Sequence, residues 1–444
     1  MLSEAQCQEI FERVQRASRV RETEVFLEAS RSALTRFANN IIHQNVAEEG
    51  MQVSVRAVVD GRTARATTNK IGPDALRRVV EQATQIAGWQ PPDPDLLEMP
   101  GPQCYREVKR MCPHTAQLTP EARAQAVEKV VRRAERAGLT AAGIYANSYR
   151  IQALLNSSGL FAYHQETKAE FSVTCFNEQG SGWAKGSLIS ADQLAIDELA
   201  ERACQKALAS QNPQELPPGR YTVILEPAAV LDLVGFFSYD FAATAVADQR
   251  SCFTQRLGKK VFGENISIWD DVYHPLQSGV AWDGEGIPRQ KVVLVERGIV
   301  KNLVYSRQAA RKMNAAPTGH GFLLPNELGE APVNLVFAGG ESPFEEMIRT
   351  TQRGVLVTRF WYIREVDPYQ KILTGVTRDG TFYVADGEIQ YPVRNLRFNQ
   401  SLLEMLNQVE MLGPAVRAAG EESFEMVVPA MKVADFRFTE VTKH

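Results

Sequence analysis

The sequence predicts an α+β protein: an N-terminal lobe of mixed sheets and helices, followed by a strand-rich C-terminal lobe. Three observations carry that expectation. Two-residue turns such as Asp60-Gly61 sit between runs of alternating polarity, a hairpin signal. Amphipathic helices open at recognisable starts such as Thr119-Pro120-Glu121. Two proline-rich breaks, 88–102 and 212–219, divide the 444 residues into units 1–103, 104–216 and 217–444. The first two units are expected to share one lobe.

The first unit opens with a helix ending near Arg19. Strand-like runs follow at 24–29, 33–39 and 51–59, the last joined through Asp60-Gly61 to 62–68. Gly72-Pro73-Asp74 then starts a helix, with proline in the first turn, where its missing N–H is harmless. In the second unit a helix runs from Thr119 to a stop at Gly138 and keeps one apolar stripe. Strands are expected at 151–155, 161–164 and 170–176, the first two turned by 156–159. A helix over 192–209, with Ser190 and Gln193 as a capping box, closes the unit.

The third unit begins with a strand at 221–225 and a helix from Pro227 that is expected to reach Val246. Strands at 292–295 and 299–304 hinge on Arg297-Gly298. A strand at 334–338, a helix start at 342–345 and a strand at 354–364 follow. Asp379-Gly380 and Asp386-Gly387 read as turns in a meander over 377–393, ahead of a helix over 400–409 and a last strand at 424–429.

Composition narrows the class of function. A formal net charge of -4 gives no electrostatic reason to expect nucleic acid as a partner. No apolar run is long enough to span a bilayer, and the N-terminus lacks the apolar segment of a secretory signal. The six cysteines (Cys7, Cys104, Cys112, Cys175, Cys204, Cys252) have no framework spacing and read as reduced thiols, so a cytoplasmic protein is expected.

From Gly258 to Gly321 the order is a strand, the Asp270-Asp271 turn, the loop Asp283-Gly284-Glu285-Gly286-Ile287-Pro288, two strands, a short helix and Thr318-Gly319. Elsewhere stand Thr35-Arg36-Phe37-Ala38-Asn39-Asn40-Ile41, Asp60-Gly61-Arg62 and Asn156-Ser157-Ser158-Gly159. Asn334-Leu335 with Gly339-Gly340 and Asp386-Gly387-Glu388-Ile389 leading to Pro392-Val393-Arg394 complete the set. This order, from Thr35 to Arg394, resembles the TldD/PmbA family. The resemblance implies a barrel-like or sandwich C-terminal lobe. It also implies a choice between two branches. The peptidase branch carries HExxxH on the helix after the first strand of the third domain, with a distant cysteine completing a zinc site. Three such ligands leave one tetrahedral position for water, and the glutamate takes its proton. Here the matching helix, which begins Glu226-Pro227, contains no histidine, no His-Glu pair occurs anywhere, and the last cysteine is Cys252. The chain is therefore similar to the zinc-less TldE/PmbA branch. That branch implies a non-catalytic subunit without a cofactor, paired with a zinc-bearing TldD-like paralogue around a chamber for unfolded peptides, which can bind as an added strand. An autonomous hydrolase with an unrecognised site and a homodimeric peptide-binding scaffold are the two rivals.

Several residues invite chemistry of their own. Cys104, Cys112 and His114 form the one local Cys/His cluster, in a proline-flanked loop. Cys252 could be paired with His274 or His320 as a nucleophile, although nothing local brings them together. Asp270, Asp271, Asp283 and Glu285 could form a carboxylate pair or an oxygen-ligand site; turn formation is the plainer expectation. Strict alternation over Thr358–Arg364 would send Arg359, Trp361 and Ile363 to one face and Phe360, Tyr362 and Arg364 to the other. Arg359, Trp361, Tyr362 and Arg364, with Thr374 and Arg378 on the next segment, are the expected peptide or partner contacts. No catalytic or metal-ligating residue is expected.

Overall fold

A computed structural model describes residues 1–442; Lys443 and His444, the end of the third unit, lie outside it. Six antiparallel strands form the N-terminal sheet: β1 Glu22–Ala38, β2 Ile41–Val59, β3 Arg62–Thr68, β4 Thr140–Asn156, β5 Phe161–Phe176 and β6 Ser181–Leu188. Their order is β3-β2-β1-β4-β5-β6. Strands β1 and β4 pair although the first proline-rich break separates them in sequence, so one sheet spans both sides of it. Asn39-Asn40 and Asp60-Gly61 all have positive φ, the conformation that tight hairpins require.

The strands are longer than expected. The polar run Ser30-Arg31-Ser32 reads as a break, yet its backbone pairs with β2 on one side and β4 on the other, so β1 continues through it. The runs at 161–164 and 170–176 likewise merge into β5, and β6 is an addition. The expected capping box at Ser190 does not form. Ala191–Gln193 is a single 3-10 turn, Leu194 drops into the core with extended dihedrals, and the helix begins at Ile196. Two helix pairs cover the sheet. Glu4–Ala17 and Pro73–Trp89 bury Val14, Val80 and Leu76 on Leu27 and Val55. Pro120–Arg136 and Ile196–Ala209 bury Val127, Val130 and Ala203 on Phe171 and Val173.

The C-terminal lobe contains β7 Gly219–Leu225, β8 Ile268–Asp270, β9 Val292–Glu296, β10 Ile299–Val300, β11 Leu335–Phe337 and β12 Arg353–Asp367. It continues with β13 Ile372–Ala385, β14 Glu388–Pro392, β15 Leu396–Ser401, β16 Val409–Ala418 and β17 Met426–Val441. Strands β7, β12, β13, β15 and β17 close a ring, because β17 pairs back to β7. The helix Pro227–Val234 packs against β12 and β17, with every side chain from Ala229 to Val234 buried. Phe237, Phe253, Phe360, Phe398 and Phe436 complete that core.

Five expectations change here, the first being the strand expected over 299–304, which is only Ile299–Val300. The helix from Pro227 stops at Val234 and gives way to a 3-10 segment, Gly235–Phe241, before a last turn at Ala243–Ala247. Asp379-Gly380 is a bulge inside β13 and not a turn: both residues have positive φ and together oppose Thr358. The strand expected to end at Pro429 runs on to Val441, paired with an unanticipated β16. The helix expected over 400–409 is shorter, Leu402–Asn407, with Ser401 as its cap.

Candidate functional site

Asp270, Asp271, Asp283 and Glu285 each accept from at least one backbone amide. Asp270, fully buried at the end of β8, pairs through Oδ1 with His320 Nε2 at 2.9 Å, and its Oδ2 accepts from the Asn334 amide at 2.6 Å. Burial alone would raise this carboxyl, but His320, Arg289 and the Asn334 amide together outweigh it and hold the group below the usual range. Asp271 Oδ1 accepts from the Tyr273 amide at 3.0 Å. Asp283 organises its whole loop: Oδ1 accepts from Glu285 and Ile287 amides at 2.9 and 2.8 Å, and Oδ2 from Gly321 at 2.7 Å. Glu285 Oε2 accepts from the Arg307 amide at 2.8 Å; burial pushes its carboxyl up to about 7. The loop is pressed onto the N-terminal lobe. Gly286 has φ +79°, a Cβ there would lie 2.7 Å from Leu160 Cδ1, and Tyr105 Oη donates to its carbonyl at 2.7 Å. Among the described residues no group of three or more His, Cys, Asp or Glu stands where it could hold a metal ion.

A cleft of about 640 Å³ opens at the end of the helix Pro227–Val234, walled by Phe236, Tyr239, Asp240, Lys371, Glu422 and Phe424. Lys371 is buried, with its ammonium between Asp240 and Glu365, 2.7 Å from the latter. Burial would lower its pKa, but the two carboxylates outweigh burial and raise it, so Lys371 stays cationic and is no neutral-amine nucleophile. Within the helix itself lies the buried Asp232. Its Oδ2 accepts from the Phe360 amide at 3.0 Å, while its buried Oδ1 has no partner. Desolvation pushes this carboxyl up to about 7, against the Phe360 amide and the pull of Arg359.

The expected alternation along β12 fails at one residue. Trp361 pairs with Val376 and Arg364 with Thr374, so Tyr362 and Ile363 share a single opposite residue. Tyr362 takes φ +54°, and both Phe360 and Ile363 therefore reach the core while Tyr362 is 61% exposed. The bulge turns two consecutive amides towards Glu422, which accepts from Tyr362 through Oε1 at 3.1 Å and from Ile363 through Oε2 at 3.3 Å.

Of the expected contact residues, Arg359 and Thr374 are engaged internally. Arg359 Nε donates to Asp379 at 2.8 Å, and its guanidinium lies 4.8 Å from the Trp183 ring and 5.3 Å from that of Trp361. Asp379 also accepts from Ser181 Oγ at 2.8 Å, so the group stitches β6 to β12 and β13. Arg378 covers Trp361, and Thr374 Oγ1 donates to the Phe398 carbonyl at 2.9 Å. Tyr362 and Arg364 remain at the surface, the guanidinium 4.3 Å above the ring.

The other candidates do not assemble. Cys252 is buried, with its thiol pushed up by desolvation, while His320 is bound to Asp270 and Thr318, and His274 Nδ1 accepts from the Leu276 amide. Cys112 Sγ faces Ser190, and His114 pairs with Asp192 at 2.7 Å. The sequence reading misses Asp232, Asp240, Glu421 and Glu422. A lone carboxylate in the apolar run Ala228-Ala229-Val230-Leu231-Asp232-Leu233-Val234 is the one signal that marks any of them.

The strap 420–425, between β16 and β17, joins the lobes over this cleft. Lys185 Nζ donates to the Gly420 carbonyl at 3.0 Å, Ser172 Oγ to Glu421 at 3.2 Å and Ser187 Oγ to Glu425 at 2.9 Å. Glu425 also contacts Lys168. Burial would raise its carboxyl, but Lys168 and Arg417 outweigh it and bring it down to about 2.

The architecture is α+β: a six-stranded sheet docked on a closed strand ring, with a buried helix after the ring's first strand. Family models described as PmbA/TldA metallopeptidase domain 1, central domain and C-terminal domain match residues 23–87, 114–211 and 218–440. The chain belongs to the PmbA/TldD family. Its fold matches the crystal structure of TldE from Thermococcus kodakarensis with a TM-score of 0.89 at 20% identity, covering 98% of this chain and 100% of that one. "Metalloprotease PmbA" of Escherichia coli is 24% identical over 400 residues, 84% of this chain and 83% of that protein. A "Metalloprotease" of Methanothermobacter thermautotrophicus is 26% identical over 295 residues; the match spans 62% of each chain, less than two thirds of that relative. Among the described residues no helix is long and apolar enough to cross a membrane.

Proposed function

We propose that this chain is a non-catalytic, TldE/PmbA-like subunit of a cytoplasmic peptide-processing system, holding unfolded peptide for a zinc-bearing TldD-like partner. The observation that carries this reading is the make-up of the helix Pro227–Val234. A hydrolytic zinc ion takes three protein ligands and a water, with imidazole and thiolate the donors that suit it best. This helix offers Asp232 among aliphatic side chains, no His-Glu pair occurs in the chain, and the last cysteine is the buried Cys252. These residues do not fit a zinc ion, and no hydrolytic step is assigned to them.

What the cleft offers is binding. Strand β7 pairs with β12 only from Gly354 to Val357, so beyond that point this edge of β12 meets side chains of the helix and the strap in place of a strand. An extended peptide can add along the exposed end of this edge, from Arg364 to Val366, with Tyr239, Tyr362 and Phe424 as exposed apolar surface beside it. The same surface serves a heteromer with the paralogue or a homodimer.

Elemental zinc analysis of the untagged chain, with a peptide-cleavage assay alone and after mixing with an HExxxH paralogue, tests the reading. Negligible zinc and cleavage only in the mixture are expected. Zinc near one per chain with chelator-sensitive cleavage by the isolated chain would overturn it.

A further inference from the structure

We infer that the bulge at Tyr362–Ile363 is a carboxylate-binding subsite, filled by Glu422 in the free chain and by a carboxylate of the peptide in the complex. The inference rests on the peptide-holding reading above. Two consecutive backbone N–H groups that escape a ladder at a positive-φ residue form a small concavity for an anion. Here each amide has its own carboxylate oxygen, at 3.1 and 3.3 Å, a two-point geometry that a carboxylate fits and a neutral carbonyl fits only half. Arg364 stands beside the same residues, with Nη1 2.6 Å from the Ile363 carbonyl, and adds a positive charge.

Glu422 is a replaceable occupant. The strap is anchored on either side of it, through Gly420 and Glu421 to Lys185 and Ser172, and through Glu425 to Lys168 and Ser187. The position of the subsite on the edge of β12 sets the ligand. A peptide added along that edge loses its regular ladder at the bulge, where two amides ask for a carboxylate. A chain terminus supplies one, and so does an aspartate or glutamate side chain.

The experiment uses three N-dansylated ten-residue unfolded peptides in anisotropy titrations. One is free of acidic side chains and ends in a carboxylate; the second is its C-terminal amide; the third is that amide with one internal glutamate. Each is titrated against the full-length protein and against Glu422→Ala and Glu422→Gln, with thermal melts confirming that the variants fold. Glu422→Ala is expected to bind a carboxylate-bearing peptide about tenfold more tightly than the parent, with the acid-free amide changed by less than about twofold, and Glu422→Gln in between. A gain for the first peptide alone assigns the subsite to the terminal carboxylate, and a gain for the third to an acidic side chain. Equal binding of all three by Glu422→Ala overturns the subsite and leaves peptide holding intact. Binding of none by any of the proteins overturns both.

Discussion

Asp283 of the 283–288 loop and Asp232 of the helix Pro227–Val234 are both buried carboxylates raised by desolvation, but they differ in how many donors they hold. Asp283 is buried with three backbone amides pointing at it, and every donor it holds would be orphaned without it. Asp232 is equally buried with one amide and a bare oxygen. The first arrangement spends a charge on building a loop; the second leaves a charge underemployed beside a cleft. Buried groups of the second kind cost stability, and such costs concentrate where a protein binds or reacts.

Two substitutions probe that contrast with the largest expected effects. Asp283→Ala orphans three amides at the interface of the lobes and should cost at least about 3 kcal/mol in urea unfolding, or prevent accumulation of folded protein. Asp232→Asn should be neutral or stabilising at pH 7, since it removes a carboxylate that folding desolvates. Equal losses from the two would dissolve the distinction.

The pH dependence sharpens it. Asp232 has a folded pKa of about 7, raised by burial above its ordinary value of 3.8. The folded state thus binds more protons than the unfolded one between those values, and stability falls as pH rises through that window, by up to about 1.4 kcal/mol per pH unit. Glu285 acts with the same sign. Glu425 has the opposite one: lowered from 4.5 to about 2, it stabilises above its unfolded pKa, and that contribution is lost as pH falls towards 2. Chemical denaturation across pH 3–8 should show Asp232→Asn flattening the neutral side and Glu425→Gln flattening the acid side. Exchange of those two effects would contradict the assignment.

The same contrast explains what the sequence made legible. Asp60-Gly61 and the Thr119 cap state their structure locally, because turn and cap preferences are short-range. The segment around Asp283 is recognisable for a similar reason: a loop held by one side chain and close-packed glycines tolerates few alternatives. Strand lengths escaped, since Ser30–Ser32 are polar but paired on both edges. Asp379-Gly380 misled, because positive φ serves a bulge as well as a turn. The cleft was the least legible part. Its residues come from the 3-10 segment after the helix, the end of β12 with its turn into β13, and the strap before β17, and only the closed ring brings these together.

The finest probe separates neighbours on one strand. Phe360 is fully buried against Phe398 and Phe436, so Phe360→Ala should cost about 3–5 kcal/mol. Tyr362, two residues on, is 61% exposed and held in positive φ by the bulge. Tyr362→Ala should change stability by no more than about 0.5 kcal/mol while weakening peptide binding several-fold, because its ring lies beside the amides that face the strap. Tyr362→Gly relaxes the backbone conformation as well and should leave folding unharmed or slightly improved, with the same loss of binding. If both variants instead bind peptide as the parent does, the exposed ring is surface without function, and the binding edge of β12 must lie on the Trp361 side of the bulge.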